Sequence, residues 1–202
     1  KTFESLFAGI DAAEDYVLIQ FFIVRHDALG VRLKHHLQKA AERGVRVYFL
    51  YDEIGSRKLK EGYIRDLCQA GVEVSAFHSS RGWRHRFQLN FRNHRKILVV
   101  DGREGWLGGF NDCVVYLGQD PRQGHWRDTH LKLTGPSVLG LQEAFWEDWH
   151  WATGEVLGIA WEPQGACDNG QNVVVVPSGP ADRQETASLL VQHAIHSAEH
   201  RL

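Results

Sequence analysis

The chain has 202 residues, 43% hydrophobic and 24% charged, with a formal net charge of −2. This is the range of a soluble globular protein, long enough to bury a real core in one ordinary or one large domain. No stretch approaches the ~18–20 continuous apolar residues that span a bilayer, and no secretory signal is visible.

In chain order, Phe3 to Asp15 reads as a helix, with Phe3, Leu6, Phe7 and Ile10 at helical spacing. Tyr16 to Val24 reads as a buried strand, and Asp27 to Arg43 as a helix stopped by Gly44. Val45 to Tyr51 is a second buried strand, Lys58 to Ala70 a helix closed by Gly71, and Val72 to Phe77 a third strand. The order β-α-β-α-β predicts an α/β fold: a mixed, largely parallel sheet flanked by helices. A hairpin follows, with Lys96 to Val100 and Gly105 to Leu107 around the turn pair Asp101-Gly102. His130 to Thr134 is a further strand and Pro136 to Trp151 a helix rich in Leu and Trp, whose tryptophans are expected to pack rather than dip into a membrane.

The glycine- and proline-bearing stretch 154–172 reads as a connector after a first domain spanning 1–153. Val173 to Val176 then reads as a new buried strand and Asp182 to Leu202 as a new helix, the cut-off start of a second unit over 173–202. The chain begins at Lys1 and has no methionine, as expected of a processed or excised piece whose upstream anchor, if any, lies outside it. Cys68, Cys113 and Cys167 are odd in number and widely spaced, which favours reduced thiols over a disulfide framework or zinc site.

Charge is unevenly spread. Up to Asn111 there are 18 Lys/Arg against 13 Asp/Glu; from Asp112 onward there are 5 against 12. No acid lies between Glu73 and Asp101, where Arg81, Arg84, Arg86, Arg92, Arg95 and Lys96 interleave with Phe77, Trp83, Phe87 and Phe91. A positive field with aromatic edges suits anionic lipid headgroups or nucleic acid.

The segment "NFRNHRKILVVDGREGWLGGFN", Asn90 to Asn111, sets His94 and Lys96 two residues apart beside an apolar run. In a strand, i and i+2 share a face roughly 6.5–7 Å apart, so the pair can bracket one phosphate while Arg95 points away. An imidazole can act as nucleophile or proton carrier near neutral pH, and an ammonium can neutralise a non-bridging oxygen. Gly108-Gly109 allows close backbone approach, and Asn111 can donate its amide to the same phosphate. Side chains supply the positive charge, so no metal or cofactor is expected. His35-His36 sit on a polar helix, and His125 and His130 form no known ligand pattern.

His94-x-Lys96-x4-Asp101 followed by Gly108-Gly109-x-Asn111 resembles the HKD motif of the phospholipase D superfamily. The flanking text resembles its bacterial cardiolipin synthase branch, through "IQFFIVRHDALG", "AAERGVRVYFLYDEIGS", "AGVEVSAF", "HWRDTHLKLTGP" and "VVPSGP". The likeness covers nearly the whole chain. It implies a phosphatidyltransferase that works through a phosphohistidine, with two such motifs meeting at a two-fold-like interface. His94 would be one of the two histidines, as nucleophile. Lys96 and Asn111 would hold phosphoryl oxygens, Asp101 would be structural or charge-balancing, and Asp128 would orient the motif histidine. Gly109 stands where many relatives have a phosphate-binding serine. No second HKD motif follows Pro180, so a missing second half or a homodimer mate is implied. So are anionic, phosphatidylglycerol-like lipids and the cytoplasmic face of the bacterial inner membrane. The rival readings are a phospholipase or nuclease that uses water, with nucleic acid the less favoured substrate, and a membrane-surface-binding fragment without turnover.

Overall fold

A computed structural model describes residues 1–77, 92–118, 124–163, 170–179 and 185–201. The basic-aromatic run from Arg81 to Phe91, and Cys167, lie outside these residues. Six strands form one sheet: β1 (Tyr16–Phe21), β2 (Arg46–Asp52), β3 (Glu73–Phe77), β4 (Ile97–Val100), β5 (Glu104–Gly108) and β6 (His130–Thr134). Their spatial order is β3-β2-β1-β4-β5-β6. The first three run parallel, each joined to the next by a helix; β4, β5 and β6 are antiparallel to their neighbours. The mixed α/β architecture expected from the sequence is the one observed.

The alternation of side chains in β1 and β4 builds two cores. Val17, Ile19, Phe21, Leu98 and Val100 face α1 (Thr2–Ala12), α2 (Ala28–Glu42) and α3 (Glu61–Gln69). Tyr16, Leu18, Ile97 and Val99 face α4 (Val138–Thr153), where Leu141, Phe145 and Trp149 are buried. Each such fully buried side chain contributes about 1.5–3 kcal/mol, so both faces of the central strands are closed to water. The stop expected at Gly44 is present, with Gly44 at φ 88° directly after the helix cap at Arg43, and at the start of α2 the Asp27 carboxylate accepts from Leu29 N and Gly30 N. The expected hairpin turn is present, with Asp101 at φ 51°, Gly102 at φ 64° and Arg103 N donating to Val100 O at 2.9 Å. Both central residues are left-handed, the geometry that Asp-Gly favours.

Within 154–163, Leu157 and Ile159 are buried in the α4-side core and Ala160 O accepts from Gln142 Nε2 at 2.6 Å. One expectation in the carboxyl-terminal part is corrected. Val173 to Val176 is not a buried strand. Among the described residues it joins no ladder, and Val173, Val174 and Val176 are exposed while Val175 packs against Gly140 and the α4-side core. A valine run becomes a strand only where an open edge receives it, and neither edge of this sheet does. The last helix, α5 (Thr186–Ser197), forms as expected but buries none of its residues. Trp149 is buried and Trp146 packs against the same core, while Trp151 stacks on Phe77 with ring centroids 4.4 Å apart.

Candidate active site

The site lies where β1 ends and β4 begins. β4 pairs with β1 from Ile97 onward, so His94 and Lys96 sit in the extended segment that leads into the strand rather than within it. The backbone there bonds to side chains instead of a ladder. Asn93 N donates to Asp52 Oδ2 at 3.0 Å, and Arg95 N donates to Asn93 Oδ1 at 3.1 Å. The strand alternation nevertheless persists. Asn93 and Arg95 point to the α4 side, where both reach Asp148, while His94 and Lys96 come together on Phe22.

His94 is exposed, and its ring stacks on Phe22 with centroids 3.8 Å apart and an interplanar angle of 19°. Lys96 is half-buried; its Nζ lies 5.5 Å from the centroid of the same Phe22 ring and donates to the carbonyl of His94. Phe22 is held in turn, since its carbonyl accepts from Ser56 Oγ at 3.1 Å. Burial, the Lys96 charge and the Arg92 charge push the His94 imidazole below its ordinary pKa, against the pull of Asp52. Burial likewise pushes the Lys96 ammonium down, opposed by Asp128. The imidazole is therefore held toward its neutral, nucleophilic form.

Asn111 is buried and closely tied to this corner. Its Oδ1 accepts from Ile23 N at 2.9 Å, one residue beyond Phe22, and its Nδ2 donates to Tyr116 Oη at 2.8 Å. The Ile23 contact fixes which way the amide points. Gly109 is crowded for a reason the sequence did not disclose: a Cβ at this position would collide with the Asp128 carboxylate. Glycine here admits Asp128 where another chain would carry a side chain.

The charge of Asp128 bears on Lys96 and on the half-buried His130, and the charge of Asp52 bears on His94. Asp101 is not in the site at all. It follows Val100, at the far end of β4, where its two oxygens accept from Glu14 N, Asp15 N and Tyr16 N at 2.8–2.9 Å. Six residues lie between it and His94, roughly 20 Å of extended chain. These contacts tie the entry of β1 to the end of β4.

Sequence reading missed the polar residues beneath the site. Asp52, Asn93, Asp148 and Gln20 are all buried. Asp148 Oδ2 accepts from Gln20 Nε2 at 2.9 Å and Asn93 Nδ2 at 2.7 Å, and Asp148 Oδ1 accepts from Arg95 Nη1 at 2.6 Å. The one available signal was Gln20, a polar residue inside an otherwise apolar strand. A buried polar side chain needs a partner, but the sequence does not say which.

A family model described as "Cardiolipin synthase, PLD-like domain" matches residues 6–112. Cardiolipin synthase A of Pseudomonas putida is 48% identical over 201 residues, covering all of this chain and 42% of that protein. Cardiolipin synthase A of Pseudomonas aeruginosa is 49% identical, with 41% of its length covered. The chain thus spans less than half the length of the curated relatives it matches. Among solved structures, NucT from Helicobacter pylori aligns with a TM-score of 0.56 at 17% identity, over 74% of this chain and 88% of that one. The phospholipase D family member Nuc from Salmonella typhimurium aligns at 0.52 and 16%, over 74% and 87%. Phosphatidylserine synthase from Haemophilus influenzae aligns at 0.52 and 14%, over 70% and 33%. At these identities the solved structures speak for the fold alone.

Proposed function

Because this chain belongs to the cardiolipin synthase, PLD-like domain family, we propose that it carries one HKD half of a phosphatidyltransferase of cardiolipin synthase type. The observation that carries the reading is the pairing of an exposed imidazole with a partly desolvated ammonium on one aromatic ring, beside a buried amide anchored one residue away. His94 attacks the phosphorus of a phosphatidylglycerol-like diester. A nitrogen–phosphorus bond forms, the bond to the leaving glycerol breaks, and the departing oxygen takes a proton from a second histidine supplied by another HKD half or a homodimer mate. A second lipid alcohol then attacks the phosphohistidine, gives up its proton to the second histidine, and frees His94 as the nitrogen–phosphorus bond breaks. Splitting the displacement in two avoids assembling both alcohols at once.

Lys96 supplies positive charge to the non-bridging oxygens, and the second N–H of Asn111 Nδ2 is the remaining amide donor. Each such preorganised donor contributes about 3–4 kcal/mol to the transition state. Asp128 acts through Lys96, keeping it charged against burial, with Gly109 making room for it. Asp101 serves the scaffold. The exposed valines of 173–176 and the uncovered α5 fit a segment that packs on a second half. Among the described residues no helix is long and apolar enough to cross a membrane. We place the lipid substrate at the cytoplasmic face of the bacterial inner membrane.

The test is to incubate the intact protein with labelled phosphatidylglycerol vesicles, separate the lipids, and quench a parallel sample in alkali, where phosphohistidine survives. Cardiolipin with released glycerol, plus label on His94 that is absent from His94→Ala, is the expected result. Phosphatidic acid as the sole product would replace transfer with hydrolysis. Cleavage of single-stranded DNA without lipid turnover would replace the substrate class.

A further inference from the structure

The two residues that flank His94 are held by one carboxylate from the opposite face of the sheet. Asp148 lies in α4 and is buried; Asn93 Nδ2 and Arg95 Nη1 both donate to it, at 2.7 and 2.6 Å. Gln20 Nε2, from β1, donates to the same group at 2.9 Å, so all three donors converge on it. Along this segment side chains alternate between faces. Pinning residues 93 and 95 to the α4 side obliges residue 94 to project to the other. Without the pin, the segment has no ladder bonds to keep its register, because β1–β4 pairing starts only at Ile97.

We propose that Asp148 is a positioning residue for the transfer reaction: by gripping Asn93 and Arg95 together it fixes the direction of the His94 imidazole toward phosphorus. This rests on His94 being the nucleophile. Asp148 lies on the other side of the backbone from His94 and its partners are the neighbours of His94, so it acts through geometry and does not touch substrate. Asp52 secures the same segment from a second point, through Asn93 N, while its other oxygen accepts from Gly55 N in its own loop, so it grips only one flank of His94. Asp148 is the group that grips both. A misalignment of about 1 Å in a reacting group costs on the order of 100-fold in rate.

The experiment compares Asp148→Asn, Asn93→Ala, their double variant, Trp149→Phe and His94→Ala in the intact protein, on phosphatidylglycerol vesicles, well below each melting temperature. Asp148→Asn is expected to lower kcat about 100-fold with KM unchanged. Asn93→Ala, which cuts the same pin from the other side, is expected to do the same even if Asp148→Asn does not fold. The double variant should fall no further than either alone. Trp149→Phe, a neighbouring core change in α4, should lower the melting temperature and leave kcat intact. Wild-type kcat in a folded Asp148→Asn or Asn93→Ala would overturn the proposal, as would an equal kcat loss in Trp149→Phe. Turnover that persists in His94→Ala would sink the reading of the nucleophile beneath it, and this proposal with it.

Discussion

The two ends of β4 carry the same short motif and do opposite things with it. At the carboxyl end, Asp101 turns inward on the fold: both its oxygens are taken by three backbone N–H groups at the entry of β1. At the amino end, side chains satisfy the backbone and the His94 ring stands exposed on Phe22. One end spends its polar groups on holding the sheet together. The other leaves an imidazole exposed beside an ammonium that donates to the His94 carbonyl, and places the restraint one residue to either side of the imidazole. The spacing of the motif therefore measures the length of a strand, and only its first half lies at the candidate site.

That contrast can be broken by experiment. His94→Ala should lower turnover by more than roughly 10⁴-fold and leave the melting temperature unchanged; a melting shift without loss of turnover would reverse the assignment of the two ends. Lys96→Met should lower kcat by roughly 10²–10³-fold, more than it raises KM. It should also raise the His94 pKa, since the Lys96 charge is one of the influences holding it down. The acid limb of kcat/KM, which follows protonation of the nucleophile, should then move to higher pH in the variant. An NMR titration of the His94 ring that shows no upward movement would separate the two groups.

Asp101→Ala is the stability counterpart. Three hydrogen bonds at about 1 kcal/mol each predict a loss of about 2–3 kcal/mol, or about 4–12 °C in Tm for a chain of this size. kcat per folded molecule should stay near wild type. A drop in kcat matching that of Lys96→Met would place Asp101 back in the site.

The smallest effect sharpens the comparison at the His94 end, where buried carboxylates are of two kinds. Asp148 has three donors, whereas among the described residues neither oxygen of the fully buried Asp112 has a hydrogen-bond partner. Burial, with the nearby Asp27 charge, pushes the Asp112 pKa well above the usual carboxylate range. Its folded pKa exceeds the unfolded one, so the stability it contributes is present at low pH and lost as pH rises through the folded value. Asp112→Asn should therefore raise Tm at pH 8 and have little effect at pH 4. The reverse order in a pair of melting curves would show that Asp112 is charged and paired.

Much of this was legible in the sequence for a physical reason. Helices and strands announce themselves through local periodicity, and Asp27, Gly44, Asp101 and Gly102 mark ends through local backbone chemistry. His94 and Lys96 were legible because an i, i+2 pair shares a face wherever the chain is extended, inside a ladder or out of it. Val173 to Val176 misled because valine declares a preference for extended chain, while a strand also needs an edge to join.

The sequence by itself determined the order of the elements, the two-sided core and the histidine–lysine pair, all of which depend on residues a few positions apart. Only the tertiary structure decided which carboxylate serves which cation. Asp148 reaches Arg95 across 53 positions, and Asp52 reaches Asn93 across 41. The charge of Asp128 bears on Lys96 because a glycine stands at 109 to admit its carboxylate. Partners of buried polar groups are set by how layers stack, and stacking brings together residues whose distance along the chain carries no trace of the contact.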